Sequence, residues 1–398
     1  MNFDYCALGD ALKLEGKLEE AIAHYRKAVE VNPDSPLAYH NLGKALQQNG
    51  QLEDAIAAQQ KAIILQPNFT HAYFPLRYAP LPNNSSLIDD LIALYRQVIE
   101  ILPDFPLVYI HLAAALTKQG KIEEAIAVYK TAVYKQTLVS HPELAQVNCN
   151  FENLRNPDFI IIGSPRCGTT SLYKYITSHP QILAAAEKEI CFFSEHFHRG
   201  KAWYDAHFFP KTDTHNLLTG EATPTYLNHP LAAQRLHESL PQVKLIIILR
   251  NPVDRVFSHY QMWVRRGTEK RSFEEAMNVE MEILANANET DLENAMYWKQ
   301  CEYLDKSLYV YSIRRWMRLF PKEQFLILRS EDFYANPAVA LQEVFAFLGL
   351  PDYQLADYEK YNAGVYQPPI DAIHGRSSKF FQPYNYKLEE ELGRKFYW

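Results

Sequence analysis

A 34-residue internal period constrains this sequence more than any other feature. The segments GKLEEAIAHYRKAVEVNP (16–33) and GQLEDAIAAQQKAIILQP (50–67) align so that Gly16 and Gly50, Ala28 and Ala62, and Pro33 and Pro67 are each 34 residues apart. A third copy of the pattern, GKIEEAIAVYKTAVYKQ, begins at Gly120, and LIALYRQVIEILP (91–103) ends in Pro103, 36 residues after Pro67. Each unit reads as two amphipathic helices. Glycine opens the turn, small alanines let the helices approach closely, and proline ends the second helix. One unit cannot bury its own apolar face, so the units stack; a fixed period across several positions is not expected of a plain bundle.

The pattern resembles the tetratricopeptide repeat, in four copies over roughly residues 2–137. The third copy is degenerate, with NNSS (83–86) where a tight turn is expected. The resemblance implies a concave surface that holds a protein partner or mediates self-association.

From about residue 150 the character changes. Apolar runs without helical period appear at FIIIG (159–163), KLIIILR (244–250) and FLILRS (325–330), and read as buried parallel strands. Helix-like stretches at 169–178, 252–265, 302–319 and 333–348 lie between or after them. The expected fold is therefore α plus α/β. An all-α helical-repeat solenoid (1–137) and a joint (138–156) precede a three-layer, P-loop-like α/β domain with a central parallel sheet (157–398).

The net charge of −7 argues against general nucleic-acid binding, and no apolar run is long enough to span a bilayer. The N-terminal MNFDYCALGD lacks the basic and apolar regions of a signal peptide, so with Met1 as the natural start the protein is expected in the cytoplasm. Its five cysteines, Cys6, Cys149, Cys167, Cys191 and Cys301, are widely spaced and suit free thiols in a reducing compartment.

Chemistry concentrates in FIIIGSPRCGTTSLYKYI (159–176). A buried strand runs into Gly163, then Ser-Pro-Arg-Cys, then Gly168, and a helix begins at Thr169. Backbone N–H groups and the positive end of a helix dipole then form an anion cradle. The spacing matches G-x-x-x-x-G-K-[ST], except that position 169 is threonine where a kinase has lysine. The fixed cation is instead Arg166, and Thr169, Thr170 and Ser171 add neutral hydroxyls. Such a loop suits one phosphate or sulfate unit without an obligatory metal. A phosphatase reading of Cys167 fails because the sixth residue after it is Tyr173, not arginine; backbone contact with phosphate is its expected role.

A second half-site is KLIIILRNPVDRVFSHYQMWVRRG (244–267). Arg250 ends the strand, Pro252 starts a helix, and Ser258 lies two turns into it, so both can face the crevice at the strands' carboxyl ends. Together, G-S-P-R-C-G-T-T-S-L and L-R-N-P-V-D-R-V-F-S-H-Y resemble the sulfotransferase superfamily, in particular its heparan sulfate and bacterial branches. The resemblance extends through EKEICFFSEHF (187–197), GEATPTYL (220–227) and FFQPYNYKLEEELG (380–393). It implies sulfuryl transfer from 3′-phosphoadenosine-5′-phosphosulfate (PAPS), releasing the bisphosphate PAP, with no metal. Loop residues Arg166, Cys167, Gly168, Thr169, Thr170 and Ser171 would hold the 5′-phosphosulfate. Arg250 and Ser258 would hold the 3′-phosphate, and Gly364 and Tyr366 would touch the nucleotide.

The same resemblance implies that Arg166 stabilises the leaving phosphate and that Glu189, in KEICFF, is the general base. His196 ranks second as base, by similarity to sulfotransferases that use histidine. The chain departs from the heparan-type pattern at Ala222, where lysine is common, and at NAGVY (362–366), which lacks charge. The expected acceptor is a hydroxyl or amine on a carbohydrate, a protein, a carrier-bound metabolite or a small molecule. The competing readings are a repeat scaffold with an inactive sulfotransferase-like domain, and a P-loop kinase.

Overall fold

The computed structural model describes residues 4–77, 79, 86–147, 151, 155–211, 216–297, 299–361 and 371–398. It divides into two compact units, Met1–Asn148 and Cys149–Trp398.

In the first unit, helices Tyr5–Leu14 and Leu18–Val31, Pro36–Gln48 and Leu52–Leu65, and Pro106–Lys118 and Ile122–Ser140 form three regular pairs. Gly16, Gly50 and Gly120 adopt φ of 81°, 79° and 83°. Each closes a left-handed helix end in which Lys17, Gln51 or Lys121 donates its N–H back to the carbonyl of Leu12, Leu46 or Leu116. This local bond pattern, which glycine adopts without a Cβ penalty, writes the repeat into the sequence. Ala21, Ala45, Ala62, Ala125 and Ala132 are buried where the helices cross.

The degenerate third copy has the short first helix Tyr73–Arg77 after a 3₁₀ turn at Thr70–Ala72, and a full second helix, Ser86–Ile101. Most of the expected NNSS turn lies outside the described residues. The expected repeat end at 137 falls inside the helix Ile122–Ser140, and the 3₁₀ turn Pro142–Gln146 packs on through buried Leu144.

The second unit is built on a five-stranded parallel sheet in the order β2-β3-β1-β4-β5. The strands are β1 (Phe159–Gly163), β2 (Ile182–Ala184), β3 (Leu218–Ala222), β4 (Lys244–Leu249) and β5 (Phe325–Arg329). All four pairings are parallel, with β1 between β3 and β4. On one face Phe159, Ile161, Ile246 and Ile248 meet helices Thr169–Ile176 and Pro337–Leu348. Ile160, Ile162, Leu245 and Ile247, which alternate to the other face, are equally buried, so both faces are covered. The expected α-solenoid followed by a three-layer α/β domain is the observed architecture.

Two expected helices are interrupted. The stretch 302–319 is α-helical only from Tyr309 to Met317, after a 3₁₀ turn at Asp305–Ser307. Ahead of it, the buried Glu280 carboxylate accepts the N–H groups of Glu302, Tyr303 and Leu304, which therefore need no helical partners. The stretch 333–348 splits into Ser330–Ala335 and Pro337–Leu348. Pro337 forces Asn336 out of the α region, to φ −145°, and Asn336 caps the second helix through Val339 N–H.

Candidate active site

In the order β2-β3-β1-β4-β5 the chain fills one side of β1 and then the other, so the order reverses between β1 and β4. Ligands in open parallel sheets bind at the carboxyl ends of strands flanking such a reversal. The loop after β1 and Arg250 after β4 meet there.

The loop is held from several sides. Ser164 N–H donates to Ile248 O on β4 (2.9 Å), and Cys167 N–H to Ser164 O (3.3 Å). Arg166 adopts φ 70° and Gly168 φ 104° before the helix Thr169–Ile176 begins. Arg166 Nε donates to Ser258 Oγ at 3.2 Å, joining the two half-sites read from the sequence. Ser258 itself is buried on the helix Pro252–Arg265.

Arg250 is half-buried, and its carbonyl accepts the Tyr309 hydroxyl at 3.0 Å. Cys167 lies beneath the loop, with its thiol 3.8 Å from Tyr309 Oη. Burial raises its pKa against the nearby charges of Arg255 and Arg250, so the side chain is a protonated, enclosed thiol. Of the hydroxyl residues, Thr169 and Ser171 are buried and Thr170 is half-buried. Ser171 Oγ accepts Tyr361 N–H at 3.1 Å, which ties the loop helix to the chain just ahead of Gly364 and Tyr366. Those two residues lie outside the described residues.

Two loop supports were not singled out from the sequence. Arg255, fully buried, donates from Nε to Pro165 O in the loop (3.2 Å) and from Nη1 to Tyr303 O (2.7 Å) and Ser307 Oγ (3.1 Å). Its Nη2 meets His259 Nδ1 at 2.7 Å, and His259 Nε2 meets Glu302 Oε1 at 3.1 Å. Burial and the Arg255 charge bring the His259 pKa down to about 3. The neutral ring therefore accepts from Arg255 at Nδ1 and donates to Glu302 at Nε2. The signal for Arg255 was present in L-R-N-P-V-D-R-V, but nothing local distinguishes it from a surface arginine.

The second support is Tyr334, whose hydroxyl covers Gly168: a Cβ added there would sit 2.8 Å from Tyr334 Oη. Gly168→Ala combines that clash with a left-handed φ, and is expected to cost about 1–3 kcal/mol of stability and to weaken anion binding. Thermal unfolding and phosphate-ligand titration check this; an unchanged melting temperature would mean the loop relaxes freely.

Glu189 lies in a short turn after β2. It adopts φ 64°, as Cys191 adopts φ 55°, and Glu189 N–H donates to Ala222 O at 2.9 Å. Its carboxylate is 46% exposed and meets Lys188 Nζ at 2.5 Å. The neighbouring Glu187 is instead enclosed, 3.3 Å from His207 Nε2 and 7% exposed. Of the pair, only Glu189 presents a carboxylate to solvent-side chemistry. His196 follows in a π-type turn, Phe192–His196, with its ring edge-on to Trp203. Burial, then the charges of Arg199 and His198, lowers its pKa to about 3.

Ala222 is fully buried at the end of β3, so the residue that departs from the heparan-type pattern lies inside the packed sheet. Lys188 supplies a cation near Glu189 and also acts electrostatically on the buried Glu221. No group of three or more His, Cys, Asp or Glu among the described residues is arranged to hold a metal. No helix among them is long and apolar enough to cross a membrane.

Comparison with known proteins places the chain in a family. Residues 156–362 match the sulfotransferase domain family, and residues 9–50, 36–69 and 107–134 match tetratricopeptide repeat models. The membrane-associated sulfotransferase kil1 of Dictyostelium discoideum is 29% identical over 312 residues, covering 61% of this chain and 66% of kil1. The bifunctional heparan sulfate N-deacetylase/N-sulfotransferase 3 of Homo sapiens is 32% identical over 216 residues, covering 51% of this chain and 23% of that enzyme. The chain thus spans less than two thirds of either relative. Among solved structures, a sulfotransferase from Alicyclobacillus acidocaldarius is 27% identical, with a TM-score of 0.49, covering 61% of this chain and 98% of that one. The loop, the strand order and a family match over more than half of its length agree: this chain belongs to the sulfotransferase domain family, with tetratricopeptide repeats ahead of that domain.

Proposed function

We propose that this protein transfers the sulfuryl group of PAPS to a hydroxyl or amine of an acceptor, without a metal ion. The observation that carries the reading is the convergence of two cationic half-sites at the β1/β4 reversal, joined by the 3.2 Å contact from Arg166 to Ser258. The donor set fits a nucleotide with separate phosphosulfate and 3′-phosphate groups. Backbone N–H groups at the helix start, the Thr170 hydroxyl and Arg166 suit the first; Arg250 and Ser258 suit the second. PAPS supplies an activated sulfuryl group and a bisphosphate handle.

Arg166 stays charged at any working pH and neutralises the charge that develops on the departing phosphate oxygen. Glu189, a half-exposed carboxylate, takes the proton of the attacking group. The half-exposed carboxylate of Glu189 supports it over His196, whose ring is half-buried against Trp203. Thr169 and Ser171, being buried, contribute through their backbone N–H groups. Gly364 and Tyr366 remain part of the proposed nucleotide site.

The acceptor class best supported by the name of the human relative is a heparan sulfate-type saccharide. The repeat unit is proposed to recruit a protein that carries the acceptor, or a second copy of the chain. A cytoplasmic location belongs to the same proposal; the described cysteines are free thiols, as a reducing compartment requires.

Calorimetric titration of PAP without metal, with ADP as control, tests the donor site. PAP is expected to bind at least about ten-fold tighter than ADP. Arg250→Ala is expected to lose about 10–100-fold of PAP affinity, as one charge-assisted phosphate contact is removed. Equal binding of the two nucleotides would overturn the reading and favour the kinase; no binding of either would favour the scaffold.

A further inference from the structure

One buried carboxylate belongs to none of the roles above. Glu221, on β3, is fully enclosed, yet a lone ionised carboxylate in such a place is strongly disfavoured unless its oxygens are satisfied. Here they are. Oε1 accepts the hydroxyls of Tyr204 (3.0 Å) and Tyr226 (3.1 Å), and Oε2 accepts the hydroxyl of Thr223 (2.6 Å).

Two of these hydroxyls pass the connection onward. Thr223 Oγ1 accepts Cys191 N–H at 3.3 Å, and Tyr226 Oη accepts Phe193 N–H at 3.4 Å. Glu189 N–H already donates to Ala222 O. Three alternate N–H groups, of residues 189, 191 and 193, are thus tied to the carboxyl end of β3 or to hydroxyls that Glu221 orients. The segment they span contains two non-glycine residues at positive φ, Glu189 and Cys191. Such a backbone is strained and persists only when its surroundings over-determine it.

We infer that Glu221 is a positioning residue: through Thr223 and Tyr226 it fixes the strained turn that aims the Glu189 carboxylate. The inference rests on Glu189 being the base. As an acceptor, the carboxylate sets the direction of each hydroxyl proton, which leaves both Thr223 and Tyr226 with lone pairs turned to the backbone N–H groups. A hydroxyl beside an apolar side chain has no such fixed direction. Burial raises the Glu221 pKa to about 7, against hydrogen bonds from Thr223, Tyr204 and Tyr226 and the charge of Lys188. A buried carboxylate contributes less to stability than a well-packed apolar residue, so its place inside the sheet fits an orienting task.

The test uses the full chain and a rate that exists whatever the natural acceptor: PAP release from PAPS. An unsulfated glucosamine oligosaccharide, a tyrosine peptide, 2-naphthol and water serve as acceptors, and the fastest is carried forward. Glu221→Ala is expected to lower kcat about 10²-fold, the effect of an ångström-scale misplacement, while PAP affinity stays within about two-fold. Glu221→Gln, which can still accept both tyrosine hydroxyls, recovers most of that loss. Thr223→Val, which removes both the hydroxyl donated to Glu221 Oε2 and the link to Cys191 but keeps the carboxylate, lowers kcat about ten-fold and serves if Glu221→Ala does not fold.

Each variant is repeated with Glu189→Gln. If Glu221 acts through Glu189, Glu221→Ala and Thr223→Val cost nothing further there. An equal cost in both backgrounds, a parallel loss of PAP affinity, or an unchanged rate overturns the inference. An undiminished rate in Glu189→Gln alone overturns the base reading instead, and is recognised separately.

Discussion

Glu189→Gln lowers the rate of sulfuryl transfer by about 10²–10⁴-fold, the range of a lost general base, and leaves PAP affinity unchanged. The substitution keeps the size and hydrogen-bonding capacity of the side chain but removes its ability to take a proton. Glu189 lies in the turn fixed to β3 through Ala222 O, with its carboxylate paired to Lys188, so donor binding is not expected to depend on its charge. The ion pair with Lys188 has its carboxylate half-exposed and contributes little to stability, so the variant is expected to fold normally. Single-turnover PAP release, together with calorimetric PAP titration, separates rate from binding. A rate within a few-fold of wild type would assign proton removal elsewhere. Glu187, enclosed against His207, and His196, half-buried against Trp203, are both placed worse for that task.

Arg166→Ala is expected to reduce the rate by about 10²–10³-fold, as when one preorganised charge is removed from a developing anion. It also cuts the contact to Ser258, so PAP affinity falls with the rate, unlike in Glu189→Gln. Arg166→Lys restores a positive charge but not the planar fork that reaches Ser258 and the loop anion together, and recovers only part of the loss. The φ of 70° at Arg166 persists in both variants, since Ser164 and Cys167 hold the loop by backbone bonds that the substitutions leave intact. Comparison of the two variants by PAP release and PAP titration decides the role. Equal rates in wild type and Arg166→Ala would remove Arg166 from the chemistry.

The sequence alone determined what is local. The 34-residue repeat was legible because each turn is closed by a glycine at positive φ and by bonds spanning only a few residues. Strands β1, β4 and β5 were legible because burial on both faces makes them continuously apolar. The loop from Gly163 to Ser171 was legible because an anion cradle needs fixed spacing between strand and helix. The helix breaks near Asp305 and at Asn336 were not read, although Pro337 marked the second; the first depends on Glu280, 22 residues before its first partner.

Tertiary structure decided what depends on partners distant in sequence. Strand β3, LTGEA, has no hydrophobic pattern, because Glu221 is buried only by virtue of hydroxyls from Tyr204, Thr223 and Tyr226. The separation of Glu189 from Glu187 likewise arises from His207, which encloses one carboxylate and leaves the other at the surface. The joining of Arg166 to Ser258, 92 residues apart, follows from the placement of β4 beside β1. Sequence spacing fixed the chemistry of the donor loop. The sheet order and a buried, fully satisfied carboxylate decided how the turn after β2 is held, because the cost of an unpaired buried charge is set by the whole fold around it.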